Sequence, residues 1–505
     1  MTNPADQNIQ PPLPQQPLRQ RALYSALRTP NAWPQWLSQN AITVYFLALG
    51  AVTLMYSAYS LPWYYMLSGV VAVLAFFLYG SKAVNDLAPN RIKKEKNFEK
   101  KIFIIAFIPR LVTMLLIYIV FQVNYGNAFG FENADADFYH ELGLDFAAGF
   151  REGRVISTWN ATTKYTDISD MGYGFYVGIV YWLTGNSIIV VRLLKCLWSA
   201  LTVVLIYRLA KRNFGEQTGR IAAVFCALWP NFWYYSSVHL KETEMVFLGG
   251  LFVEQADQML RSRQFTAWKV IPILLIAGAL FTIRTPLALV ALLALVFSVV
   301  MSSSKVVNWG KRIIVGVLAV LLIGVTAGNR IEEQSRALVE QVQGGMQKHN
   351  MEWRSTREHG NKFAKYAGKS VFAPLIFTIP FPSMVRPWDG QEAQQLNNGG
   401  NFVKNILSGF TIFAMVMLLL SGKWREHLLP LSFMLGYLVV LVMSVFAQSE
   451  RFHQPIMPFE LMFAAYGLSI AVTRPKYKRW FTYWSALMFV AALAWNWFKM
   501  AGRGL

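Results

Sequence analysis

Apolar runs of roughly 17–22 residues recur along the whole chain. Each is long enough for a helix to cross a bilayer core of about 30 Å. The runs are continuous rather than alternating, which argues against a transmembrane β-barrel. Composition agrees: 55% of residues are hydrophobic and 15% charged, against about 25% charged in an ordinary soluble domain. The expected class is an all-α polytopic membrane protein with about thirteen transmembrane helices.

The expected spans are 41–60, 62–81, 102–121, 188–208, 220–236, 243–259, 268–283, 285–301, 312–328, 403–421, 429–447, 455–473 and 480–498. With the N-terminal tail inside, alternation puts Lys93-Lys94-Glu95-Lys96, Lys100-Lys101, Lys211-Arg212, Arg261/Arg263, Lys311-Arg312, Lys423/Arg425 and Arg474–Arg479 on the inner side. These are the dense Lys/Arg clusters, as the positive-inside rule requires. The rule also accounts for the net charge of +20, and no nucleic acid partner is invoked. Residues 171–185 decide the parity. If they crossed, the charge rule would fail for most later loops. They are read as an interfacial or re-entrant helix, rich in aromatic residues suited to the headgroup region.

Five regions follow. Residues 1–40 form a polar, proline-rich cytoplasmic tail, with no cleavable signal peptide expected. Residues 41–101 form an N-terminal hairpin and a basic cytoplasmic loop. Residues 102–328 form a membrane core that includes a first outer loop, 122–187. Residues 329–402 form a second outer loop, and 403–505 the C-terminal membrane helices. In the first outer loop Phe138, Leu142, Phe146 and Phe150 recur every four residues, which predicts an amphipathic helix beside the membrane. Cys196 and Cys226 fall in apolar spans and read as buried thiols rather than a disulfide.

Charge outside the membrane gathers in a few strings. The first is Asn133-Ala-Asp135-Ala-Asp137-Phe-Tyr139-His140, just after a span. The others are His239-Leu-Lys241-Glu242-Thr-Glu244, Arg284 in Ile-Arg-Thr-Pro286, and Ser449-Glu450-Arg451-Phe-His453. Carboxylates beside guanidinium and ammonium groups suit a phosphate-bearing substrate. Arg holds phosphate oxygens bidentately and Lys acts as a point charge. A carboxylate takes a hydroxyl proton or holds a metal that polarises the leaving phosphate. The candidate catalytic residues are Asp135 and Asp137. Candidate phosphate ligands are Arg284, Arg451, Lys241 and Arg192. Candidate ligands for a divalent metal (Mg, Mn or Zn) are Asp135, Asp137, His239 and Glu242.

Simpler roles compete. Asn133, Asp135 or Asp137 would serve as a helix N-cap. Lys241 would pair with Glu242 or Glu244, and Arg451 with Glu450. Arg192 and Lys195 would snorkel. Pro286 after Arg284 favours a broken helix or tight hairpin. The chain has no Gly-x-x-x-x-Gly-Lys-Ser/Thr phosphate loop, which disfavours ATP-driven transport, and no dinucleotide fingerprint.

Taken in order, these residues resemble a known family. The outer Asp135-Ala-Asp137-Phe-Tyr139 is followed by Arg192 and a span ending Tyr207-Arg-Leu-Ala-Lys-Arg-Asn-Phe-Gly215. Then come Trp229-Pro230-Asn-Phe-Trp-Tyr-Tyr-Ser236 and Glu450-Arg451-Phe-His-Gln-Pro455-Ile-Met-Pro458. The arrangement resembles the GT-C superfamily of integral membrane glycosyltransferases, in the bacterial branch similar to protein mannosyltransferases and the lipid A aminoarabinose transferase. The resemblance spans roughly residues 102–300 and 430–475.

It implies a GT-C-like architecture and a polyprenyl-phosphate sugar donor, already activated, and hence no nucleotide cofactor. It also implies an inverting hexosyl or pentosyl transfer at the periplasmic face of a bacterial inner membrane, and an essential acid that maps onto Asp135. Two spans, 41–60 and 62–81, precede the usual first span, and the acidic pair is Asp-Ala-Asp rather than the adjacent Asp-Glu common in protein mannosyltransferases; with these departures a lipid or glycan acceptor is expected over protein. Two rivals stand beside this reading. One is an O-antigen ligase or polysaccharide polymerase using a polyprenyl-diphosphate glycan, with its key residues among Arg354, Arg357 and His359. The other is a lipid or polysaccharide transporter.

Overall fold

The computed structural model describes residues 32–86, 97–262, 267–303, 306–307, 310, 369–387, 391–472 and 476–500. Among them no β-strand forms, and helix predominates. The helices in order are α1 (Gln35–Met55), α2 (Trp63–Asp86), α3 (Phe98–Tyr125), α4 (Asn133–Arg151), α5 (Val155–Thr162), α6 (Ile168–Thr184) and α7 (Ile188–Phe214). They continue with α8 (Glu216–Leu228), α9 (Pro230–Tyr235), α10 (Glu242–Arg261), α11 (Val270–Ile283) and α12 (Thr285–Met301). The last group is α13 (Lys369–Leu375), α14 (Glu392–Leu396), α15 (Asn398–Leu420), α16 (Leu428–Met443), α17 (Glu450–His453), α18 (Met457–Ala471) and α19 (Lys476–Met500).

The expected spans within the described residues fall largely on helices, one of them, 220–236, split in two; the one at 312–328 lies outside the described residues. By length and apolar composition α1, α2, α3, α7 and α15 qualify as membrane-crossing, while α11, α12 and α16 are shorter apolar helices. The expected tail ends sooner than residue 40. Trp33 is fully buried against Phe76, Phe77 and Phe225, and α1 starts at Gln35.

Two packing features position the elements that carry the candidate site residues. First, α4 lies along α6. Gly174 and Gly178 on α6 allow this approach, since a Cβ at either would overlap Leu142 or Phe146 of α4. The expected amphipathic helix is α4: Leu142 and Phe146 are buried and Phe138 is exposed. The segment expected to be interfacial is α6, which packs on α4 and α11.

Second, the expected span at 220–236 is broken. Pro230 has no N–H to continue the helix, so α8 stops at Leu228 and α9 begins anew. The carbonyls freed at Cys226 and Ala227 accept from Arg110 of α3, at 3.0 and 3.1 Å. Arg110 is fully buried and also donates to Ser199 Oγ at 2.7 Å. A guanidinium inside a bundle is tolerated when carbonyls accept its hydrogen bonds. Here it caps the negative end of α8.

The helix α10 is packed on α7 and α11. Its 20 residues make it about 30 Å long. Charged groups cluster at both ends. At its C-terminal end Arg212 pairs with Glu254 and Asp257, and Arg261 pairs with Asp257 at 2.8 Å. His427 Nδ1 meets Asn213 Oδ1 at 2.9 Å in the same region. The candidate catalytic residues gather at its N-terminal end.

Candidate active site

Asp135 sits in the first turn of α4, where the helix N-terminus favours a carboxylate. Its Oδ2 accepts from Nη1 of Arg451, and Nε of the same guanidinium donates to Oε1 of Glu242, the first residue of α10. One planar guanidinium thus ties together the first outer loop, the start of α10 and the connection between α16 and α18. Such forked geometry is particular to Arg. The side chains of Glu242, Arg451 and Asp135 are 3%, 19% and 54% exposed, so the pair chain runs from the interior to the surface. Burial opposes the charge on Arg451, but the carboxylates of Glu242 and Asp135 outweigh it and raise its pKa well above the ordinary guanidinium value.

Lys241 lies beside this bridge. Its buried ammonium donates to the carbonyls of Ser169 (3.0 Å) and Ile283 (2.9 Å) and to the carboxylate of Asp170. Burial lowers the Lys241 pKa, and nearby Arg284 adds to that, while Asp170 opposes it. Asp170 also accepts from the Tyr139 hydroxyl at 2.9 Å. Lys241 therefore fastens the start of α6 to the end of α11, one residue before Arg284. The break expected at Arg284 is present: α11 ends at Ile283, Arg284 is extended, and Pro286 lies in the first turn of α12. The Arg284 guanidinium carbon lies 5.2 Å from the ring centre of Phe452, the neighbour of Arg451. Asp135, Lys241, Glu242, Arg284 and Arg451, from four separate strings in the sequence, meet here.

The simpler pairings are corrected. The N-cap of α4 is Glu132, with no side-chain capping bond, so none of Asn133, Asp135 and Asp137 occupies the cap position. Lys241 pairs with Asp170 rather than Glu242 or Glu244, and Arg451 pairs with Glu242 and Asp135 rather than Glu450. Arg192 and Lys195 do not snorkel: both are fully buried. Lys195 pairs with Glu244 at 2.8 Å. Arg192 donates to the Ala128 carbonyl and lies 5.5 Å over the Tyr118 ring, beneath the first outer loop rather than at a surface.

The expected metal ligands do not assemble. Asp137 is exposed, two residues from Asp135 and hence on another face of α4. His239 precedes α10 in a turn, so the helical spacing to Glu242 does not apply. Its buried ring is surrounded by Phe129, His140, Tyr173 and Tyr181 at 5.6–6.4 Å between centres. Burial first, then Arg192, Lys195 and His140, lowers its pKa well below the usual imidazole value. Among the described residues no group of three His, Cys, Asp or Glu is arranged to hold a metal ion. Asp135 and Glu242 share the Arg451 guanidinium in this structure.

Sequence reasoning missed Asp170, Glu132 and Arg110, and gave Tyr139 no role of its own. Asp170 carried a readable signal. Asp167-Ile-Ser-Asp170 opens a helix, and Asp167 caps it by accepting from the Ser169 N–H at 2.9 Å. Glu132 accepts from Tyr234 Oη at 2.7 Å, and burial raises its pKa. Arg354, Arg357 and His359, on which the polymerase reading rests, lie outside the described residues.

Residues 171–327 match the family model described as dolichyl-phosphate-mannose-protein mannosyltransferase. The matched stretch contains Lys241, Glu242 and Arg284, while Asp135 and Arg451 lie on either side of it. No curated protein and no solved structure matches the chain. The family match supports a membrane glycosyltransferase of the GT-C type.

Proposed function

We propose that this protein transfers a sugar from a polyprenyl-phosphate carrier to a hydroxyl of a lipid or glycan acceptor, at the periplasmic face of a bacterial inner membrane. One observation carries the reading: Arg451 joins the exposed carboxylate of Asp135 to the buried carboxylate of Glu242, with Lys241 and Arg284 alongside. A general base must be reachable by the acceptor, and a phosphate site needs cations fixed from within. This chain of charges has both properties.

In the proposed reaction the carrier phosphate competes with Asp135 for the Arg451 guanidinium. Glu242 keeps that guanidinium in place during the exchange. Asp135, released, accepts the proton of the acceptor hydroxyl. The hydroxyl oxygen attacks the anomeric carbon from the face opposite the phosphate. The carbon–oxygen bond to phosphate breaks, its electron pair leaves on polyprenyl phosphate, and configuration inverts. Arg451, Arg284 and Lys241 stabilise the charge that develops on the leaving phosphate. The donor arrives activated, so the reaction needs no nucleotide.

The test uses purified protein in nanodiscs with a panel of polyprenyl-phosphate sugars, reading release of free polyprenyl phosphate. Asp135→Asn should lower turnover by about 10²–10⁴-fold, the usual worth of a general base, while the protein remains folded. Full activity in that variant sinks the assignment. Activity confined to polyprenyl-diphosphate glycans favours the polymerase reading.

A further inference from the structure

A second group of ionisable side chains lies behind the site, between α15, α17 and α18. Lys404 of α15 is 2% exposed and His453 of α17 is 1% exposed. The Lys404 ammonium donates to His453 Nδ1 at 2.9 Å and to the Ile379 carbonyl at 2.6 Å. Glu460 of α18 lies 3.9 Å from the same nitrogen. The other ring nitrogen, His453 Nε2, meets the Ala447 carbonyl at 2.9 Å.

These contacts fix the state of the imidazole. An ammonium only donates, so Nδ1 accepts and carries no proton. The ring proton then sits on Nε2 and is donated to Ala447. A protonated ring would set two cations face to face. Burial, reinforced by Lys404, accordingly holds His453 well below the usual imidazole pKa. The Ala447–His453 hydrogen bond closes a short loop, and Arg451 lies within that loop. Lys404 also holds the Ile379 carbonyl, so the same ammonium anchors the described part of the second outer loop.

We infer that Lys404 and His453 form a tautomer lock that holds the 447–453 loop closed and so positions Arg451 between Asp135 and Glu242. This rests on the transferase reading for its catalytic consequence, but not for its structural one. Both are positioning residues, since neither contacts Asp135 or Glu242. Glu460, also buried, faces the Lys404 ammonium from 3.9 Å.

The lock demands one acceptor and one donor at position 453, which a glutamine amide also supplies. In nanodiscs, His453→Gln should keep kcat/KM for the polyprenyl-phosphate sugar within about threefold of wild type. His453→Leu and Lys404→Met should each lower it at least about tenfold. Amide hydrogen exchange over residues 447–453 should speed up in His453→Leu and Lys404→Met, but not in His453→Gln. If His453→Leu does not fold, His453→Ser, too short to reach both partners, takes its place. A loss in His453→Gln equal to that in His453→Leu overturns the proposal, as does unchanged exchange in Lys404→Met. Exchange needs no substrate. If the wild type transfers no sugar while the exchange pattern appears as expected, the transferase reading has failed and the lock stands.

Discussion

Arg451 and Glu450 are neighbours in sequence with opposite fates. Arg451 turns toward Asp135 and Glu242, and Glu450 is buried on the other side. Burial raises the Glu450 carboxyl to about 7, with Lys499 opposing and Glu132 adding to the rise. The folded protein therefore binds a proton more tightly at Glu450 than the unfolded chain does. Stability falls as pH rises from the ordinary carboxyl range to about 7, then levels off. Each tenfold difference in proton affinity between the two states is worth about 1.4 kcal/mol. Buried His239 and His453, with lowered pKa, act with the opposite sign, so the Glu450 share is read from the gap in thermal-unfolding midpoint between pH 5 and pH 8 in nanodiscs, variant against wild type. Glu450→Gln should raise the midpoint at pH 8 more than at pH 5. An equal gap in the variant would show that Glu450 is charged or exposed throughout. Nothing in the Glu450-Arg451 dipeptide distinguishes these roles, because they depend on side-chain direction within a single turn of helix.

The helices carry the fold's legibility unevenly. Apolar length predicted α1, α2, α3, α7 and α15 because hydrocarbon imposes one requirement on all of them: satisfied backbone bonds and an apolar exterior. The hinge at Arg284 was readable from Pro286, and the convergence of Asp135, Lys241, Arg284 and Arg451 on one side was readable from loop charge. Their pairings were not. Asp170, 71 residues before Lys241, reaches it only because α6 lies across α11. Likewise Arg110 reads as a single charge in an apolar run until the break at Pro230 supplies its acceptors. The seating of α4 rests on α6 glycines, which makes it testable. Gly174→Leu would force the side chain into Leu142 and tilt α4, moving Asp135 off Arg451. Overpacking of this kind costs about 1–3 kcal/mol. The variant should fold with a lower unfolding midpoint and lose most of its transfer activity. Wild-type activity there would show that α4 is not held by this contact.

Across the whole molecule, two charged districts stand about 30 Å apart, one at each end of α10. That is the thickness of a bilayer's hydrocarbon, so they should face opposite compartments. A membrane-impermeant thiol reagent on intact cells should label Asp137→Cys, which is exposed near the candidate site. It should label Lys211→Cys, 52% exposed at the other end, only after permeabilisation. The reverse pattern would invert the topology.

The strut between these districts also bears on how the protein is made. Helix α10 carries Glu242, Glu244, Glu254 and Asp257, all buried and all matched to Arg or Lys on other segments or its own last turn. Such a segment is too acidic to partition into lipid on its own. It should enter the membrane only as cargo of helices already integrated, above all α7, which supplies Lys195 and Arg212. In a translocation assay, residues 242–261 alone should pass through the membrane and, appended after 188–214, should be retained. Biogenesis of this chain is then cooperative at its centre: the helix that carries Glu242 into the site is the one the bilayer would refuse first.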